Sequence, residues 1–142
     1  MKAQNVVKIT FPSRSVNEGF ARGAIASFTA ALDPTVEQLA DIKTAVSEAV
    51  TNSVVHAYPD KVGNITITAA VYEDMRLVVS IVDKGVGIEN VQKAMEPLFT
   101  TGGDERAGLG FAVMESFMDK VCVRSAVNKG TRVTLTKYIG AR

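Results

Sequence analysis

Two pairs of β-rich runs restrict what this chain can build. Ile65 to Tyr72 and Leu77 to Val82 are separated only by Glu73-Asp74-Met75-Arg76, and Lys120 to Val127 and Thr131 to Ile139 only by Asn128-Lys129-Gly130. A parallel return needs a crossover of a dozen residues or more, so spacers this short force antiparallel hairpins. Val6 to Phe11 alternates apolar and polar side chains as a further half-buried strand, ended by Pro12. Between these runs lie two helical stretches. Val16 to Leu32 carries an apolar stripe through Phe20, Ala24, Phe28 and Ala31, with Ser13 and Ser15 as N-caps and Pro34 as its stop. A longer helix opens at Thr35, where Gln38 three residues on completes a capping-box pattern, and Tyr58-Pro59 closes it. Asp83 onward is glycine-rich loop, with at most a short helix around Val91 to Met95, and Leu109 to Met118 reads as a last helix. The order β-α-α-β-β-loop-α-β-β implies an α+β two-layer sandwich, a mostly antiparallel sheet covered on one face by helices.

At 142 residues the chain is long enough to bury a core without disulfides or metals, and residues 1–142 are expected to form one domain. With 22% charged residues and a net charge of +1, nothing is basic enough to argue for direct nucleic-acid binding. The apolar runs are too short for a membrane span and the N-terminus has no signal-peptide core, so a cytoplasmic location is expected. The lone Cys122 sits in a strand pattern and reads as a structural thiol.

Chemistry concentrates in three places. On the long helix, Leu39, Ile42, Val46, Val50 and Ala57 fall on one apolar face at 100° per residue, while Glu48 and Asn52 lie together nearly opposite. From Thr44 onward that second face has no mixed charges, so an acid and an amide one turn apart form a candidate pocket wall, with Ala45 and Val55 as apolar neighbours. The same pair would also suit a partly exposed helix face. Asp83-Lys84-Gly85-Val86-Gly87 follows a buried strand. Its carboxylate can accept a hydrogen bond from an exocyclic amine, and its glycines let backbone approach a ligand, although a strand leaving the core through a glycine turn looks the same. Finally, Gly108-Leu109-Gly110 is placed at a helix start, where free N–H groups bind phosphate, or is a plain connector. The polar stretch Phe99 to Ala107 before it, with hydroxyls and Arg106, reads as a lid or as an ordinary surface loop.

Glu48-x-x-x-Asn52 on a helix, Asp83-x-Gly85-x-Gly87 after a strand, a lid, and Gly108-x-Gly110 resemble the N, G1 and G2 boxes of the GHKL (Bergerat-fold) ATPase and kinase superfamily. Within it, Ser47 to Asn52 with His56-Ala57-Tyr58, Pro97 to Thr101, and Met114 to Asp119 resemble the anti-sigma serine kinases of sporulating bacteria. That resemblance implies ATP or ADP with Mg2+ as the ligands. It implies Glu48 as the base that takes the proton of an attacking serine, and Asn52 as the Mg2+ ligand. Asp83 would hold the adenine amine, with Thr131 completing the base pocket. Gly85, Gly87, Gly108 and Gly110 would shape the phosphate and lid contacts, and Thr100, Thr101 and Arg106 would close over the nucleotide. Arg22 would touch a partner. The implied partners are a sporulation sigma factor, held and inhibited in a nucleotide-dependent way, an anti-anti-sigma protein of the STAS type as kinase substrate, and a second copy of the chain. Ala107 departs from the pattern, since relatives often carry a serine there. A histidine-kinase catalytic domain would share the fold, but His56 lies inside the nucleotide helix and no separate phospho-accepting helix is expected. A non-catalytic module gated by nucleotide is the remaining alternative.

Overall fold

Period-2 alternation sets the sheet. In the computed structural model, which describes residues 2–96 and 105–140 and the side chains of these except 105–108, five strands form one sheet in the order β1-β2-β3-β5-β4, every pair antiparallel. The strands are β1 (Asn5–Pro12), β2 (Asn64–Val71), β3 (Arg76–Asp83), β4 (Lys120–Ala126) and β5 (Gly130–Tyr138). Both short spacers make hairpins, β2–β3 and β4–β5. The non-local pairing is β3 with β5, which inserts the last strand between β3 and β4. Ile65, Ile67, Ala69 and Val71 of β2, Leu77, Val79 and Ile81 of β3, and Val133 and Leu135 of β5 are buried on the helix-covered face. Asp83 continues the Leu77, Val79, Ile81 phase, so strand geometry itself drives its carboxylate to the inner face.

Among the described residues, four helices cover that face: α1 (Asn17–Ala30), α2 (Val36–Asn52), the one-turn α3 (Val91–Ala94) and α4 (Glu105–Phe117). Helix α2 lies between α1 and α4 and buries Ile42, Ala45, Val46, Ala49 and Val50. Its start is the expected capping box: the Thr35 hydroxyl accepts the Gln38 N–H and the Gln38 side chain accepts the Thr35 N–H, both at 3.0 Å. Lys137 of β5 donates to the Phe117 carbonyl at the end of α4 and pairs with Asp41 of α2 at 3.5 Å, tying both helices to the sheet.

Several local expectations are corrected. The buried line of α1 is Ala21, Ile25 and Thr29, one residue out of phase with the expected stripe, and Phe20 is 61% exposed. A run in which small and aromatic residues recur on adjacent faces gives the period without fixing its phase. Neither Ser13 nor Ser15 caps α1, whose N-cap is Val16 without a side-chain bond; the Ser13 hydroxyl instead accepts the Gly63 N–H at 3.0 Å. Ala45 is fully buried in the core and Val55 is exposed, so neither walls a pocket. The helix also changes character after Asn52: Ser53–Ala57 form a π-helical turn before Pro59 ends it. Helix α4 begins at Glu105, so Gly108-Leu109-Gly110 lies inside it rather than at its start.

Tyr58 locks the exit from the π turn. Its hydroxyl donates to the Asn64 carbonyl and accepts the Lys84 N–H, both at 2.8 Å, joining the helix end to β2 and to the residue after β3. Tyr58→Phe leaves two part-buried backbone groups without that partner. It should therefore lower the unfolding free energy by about 1–3 kcal/mol, measured as a reduced urea midpoint at unchanged slope.

Candidate functional site

The end of β3, the π turn and the start of β5 converge on one cavity of about 960 Å³. Its walls include Ala49, Asn52, Ser53, His56 and Ala57 from the helix, Asp83 to Asn90 in part, and Lys93, Phe111, Thr131 and Val133. This is the size of a small-molecule site, and its wall mixes apolar side chains with polar and ionisable ones. Asn52, Asp83 and Gly87, drawn from two sequence motifs, line it together with Thr131.

Asp83 is the electrostatic centre. Its carboxylate is 4% exposed, accepts the Ser53 hydroxyl and the Gly85 N–H at 3.0 Å each, and takes a further bond from the Thr131 backbone. Burial raises its pKa above the ordinary 3.8, and the three hydrogen bonds only partly offset that. A carboxylate kept dry but partnered on one side is suited to accept N–H donors from a ligand on the other.

Asn52 at the end of α2 and Ser53, His56 and Ala57 of the π turn line the same cavity. The turn's last carbonyl, on Ala57, would be an orphan helix acceptor, and it takes the Val86 N–H at 2.9 Å. This contact explains Gly85: a Cβ there would stand 2.1 Å from the Ala57 oxygen. Gly87 has φ +75°, and a Cβ would come within 2.0 Å of the Ala126 carbonyl. The glycines of this loop therefore serve close approach to protein backbone, which sets the loop's path along the cavity. Gly110 has a third reason: a Cβ on it would meet the Asn52 carboxamide at 3.0 Å. The Asn52 Nδ2 is buried with no hydrogen-bond partner among the described residues.

Glu48 stands apart from this wall. With Arg22, Ala40, Lys43, Thr44 and Ser47 it lines a separate groove of about 290 Å³ between α1 and α2. Arg22 pairs there with Glu18 one turn back at 3.5 Å, an exposed pair of small energetic weight. Thr100 and Thr101 lie outside the described residues, as does the Arg106 side chain, while Gly108 lies within α4. No group of three or more His, Cys, Asp or Glu side chains suited to a metal occurs among the described residues. A Mg2+ ion needs no such cage: it is commonly held by one or two protein oxygens together with phosphates and water, and the Asn52 carboxamide on the cavity wall carries one such oxygen.

Residues 11–137 match the family model described as the histidine kinase-like ATPase domain. Curated relatives include the anti-sigma F factor of Caldanaerobacter subterraneus subsp. tengcongensis, 55% identical over 99% of this chain and 98% of the relative. The anti-sigma F factor of Clostridium acetobutylicum is 51% identical over 94% of both chains. The chain belongs to the anti-sigma F factor family of histidine kinase-like ATPase domains. Among solved structures, the RsbU and RsbW domains of a Mycobacterium tuberculosis protein share the family's fold with a TM-score of 0.73 at 23% identity, over 98% of this chain and 34% of that one. The histidine kinase domain of an Erythrobacter litoralis blue-light-activated kinase gives a TM-score of 0.58 at 22% identity, over 86% of this chain and 61% of that one. No helix among the described residues is long and apolar enough to cross a membrane.

Some site residues gave no separate signal in the sequence. Ser53, which holds Asp83, reads as one more small residue on a helix, and Ser125 lies in an unremarkable strand. Lys93 is the only lysine or arginine among the described lining residues.

The raised pKa of Asp83 carries a sign. The folded protein binds this proton more tightly than the unfolded chain, so the group's contribution is fully favourable below 3.8 and is lost as pH rises through the higher folded value. The stability of the ligand-free protein relative to Asp83→Asn should therefore fall across that window and flatten above it, as urea unfolding at a series of pH values would record. A pH-independent difference would contradict the assignment.

Proposed function

We propose that this chain is a nucleotide-loaded anti-sigma factor that holds a sporulation sigma factor and, with ATP, phosphorylates a serine of a small anti-anti-sigma protein. The observation that carries the reading is the division of labour along α2. Asn52 lines the large cavity together with Asp83, while Glu48, one turn earlier, opens onto the groove that also holds Arg22. A kinase for a protein substrate needs a nucleotide wall and, beside it, a surface where a second macromolecule brings its hydroxyl.

Each chain residue then has a task. Asp83 accepts the amine of the adenine and Thr131 lines the same end of the cavity. Asn52 offers its amide oxygen to the metal, which when bound neutralises phosphate charge; Lys93 adds the protein's own positive charge nearby. Glu48 accepts the proton of the incoming serine hydroxyl as its oxygen bonds to the terminal phosphorus and the nucleoside diphosphate leaves. Arg106, Thr100 and Thr101 cover the phosphates. Arg22 contacts the partners. The working form is a homodimer of single-domain chains in the cytoplasm, with no direct contact to nucleic acid.

The separation of Glu48 from the cavity also supports a second reading, in which nucleotide only sets the shape of a non-catalytic binding module. Incubation with MgATP and the anti-anti-sigma protein distinguishes them. Wild type should form acid-stable phosphoserine, and Glu48→Ala should lose about 10²–10⁴ in rate. Because Glu48 is not part of the described cavity wall, its replacement should leave nucleotide affinity unchanged. Absence of transfer by wild type, with sigma binding intact, would favour the binding module; acid-labile phosphohistidine would indicate histidine-kinase chemistry.

A further inference from the structure

Three short contacts meet at Ser125 Oγ. The Ile88 N–H donates to it at 2.7 Å, the Gly130 carbonyl lies at 2.8 Å, and Thr131 Oγ1 lies at 2.8 Å. A serine hydroxyl has one proton and two lone pairs. A carbonyl only accepts, so the bond to Gly130 uses the serine's proton. The Ile88 amide only donates, so it uses one lone pair. The contact with Thr131 is then a hydrogen bond only if the threonine hydroxyl donates into the second lone pair. In this arrangement the proton and both lone pairs of Ser125 are used, and the Thr131 proton is committed away from the cavity.

The consequence lies on the cavity wall. Thr131 of β5 is the register partner of Asp83 of β3, and both residues line the cavity. The ionised Asp83 can only accept, and with its proton held by Ser125, Thr131 also presents lone pairs alone. This end of the cavity is therefore a wall of acceptors. It matches a base edge that carries an amine and opposes one that carries a carbonyl in the same place.

We propose that Ser125 is a positioning residue that sets the base preference of the nucleotide site: by holding the Thr131 proton, it makes the Asp83–Thr131 wall acceptor-only and so selects amino-purine over oxo-purine nucleotides. Ser125 touches no ligand itself in this role. It acts through Thr131, and through Ile88 it fixes the loop that runs beside the base. The inference rests on the nucleotide reading of the cavity and adds to it a source for base selectivity.

Calorimetric titration of the intact protein with ATP and with ITP, in the presence of Mg2+, tests it. Wild type should prefer ATP by about tenfold or more, the usual weight of a hydrogen bond to a charged acceptor. Ser125→Ala frees the Thr131 hydroxyl to rotate and donate toward the carbonyl of ITP, so the ATP/ITP ratio should fall by about fivefold, with ITP binding retained or improved. Thr131→Ser should keep the wild-type ratio. If Ser125 were only a brace for the loop, its loss would weaken both nucleotides equally, and an unchanged ratio in Ser125→Ala overturns the proposal. Should that variant fail to fold, Ser125→Cys keeps the volume, weakens the node and reads the same ratio. Wild type that binds neither nucleotide would instead overturn the nucleotide reading, and the proposal with it.

Discussion

A buried carboxylate at the end of a central strand holds the site together. Asp83 is carried inward by the same alternation that buries Leu77, Val79 and Ile81, and a charge in that position is unfavourable unless it is partnered. Its partners come from the π turn through Ser53, from its own loop through Gly85, and from β5 through Thr131. One group's need for hydrogen bonds thus draws two distant segments and its own loop to one point. The cavity is the space that those segments leave between them.

The surrounding connections follow the same logic of orphan groups finding partners. Ala57 ends a helix and its carbonyl takes the Val86 N–H; the Val86 carbonyl accepts the Asn128 N–H at 2.8 Å; Ser125 takes the Ile88 N–H. The loop after β3 is therefore bonded on one side to the helix layer and on the other to the β4–β5 hairpin. Glycine is required where these approaches are closest, because the facing atoms are backbone oxygens that cannot move aside. A loop with few side-chain anchors is given a defined path by its neighbours.

Most of the fold was legible because it depends on local spacing. Short spacers dictated both hairpins, the Thr35 and Gln38 pattern dictated the start of α2, and Pro59 its end. What was not legible depends on contacts between distant residues. The β3–β5 pairing joins segments about fifty residues apart and leaves no mark in either strand alone. The phase of α1 depends on which of its two half-apolar faces meets α2, and the π turn at Ser53–Ala57 has no residue signature. For the site, Asn52, Asp83, Gly85, Gly87 and Thr131 were named from motifs and converge on the cavity or its loop. The glycines have a further reason that no motif discloses, since the missing Cβ atoms of Gly85 and Gly87 admit protein backbone. Gly110 was assigned to a helix start and instead backs onto Asn52 from within α4. The two serines that orient the acidic and hydroxyl groups were missed, because an isolated serine carries no information until its partner is known.

The late position of β5 in the chain has a consequence during synthesis. Helix α2 and the β2–β3 hairpin can form from local contacts, but the wall beside Asp83 is completed only once β5 has inserted between β3 and β4. Closing so long a loop is the slow, entropy-limited step of such a topology. A ribosome-bound chain that already displays Asn52 and Asp83 therefore has no complete nucleotide wall, and competence arrives abruptly with the last strand rather than growing with chain length.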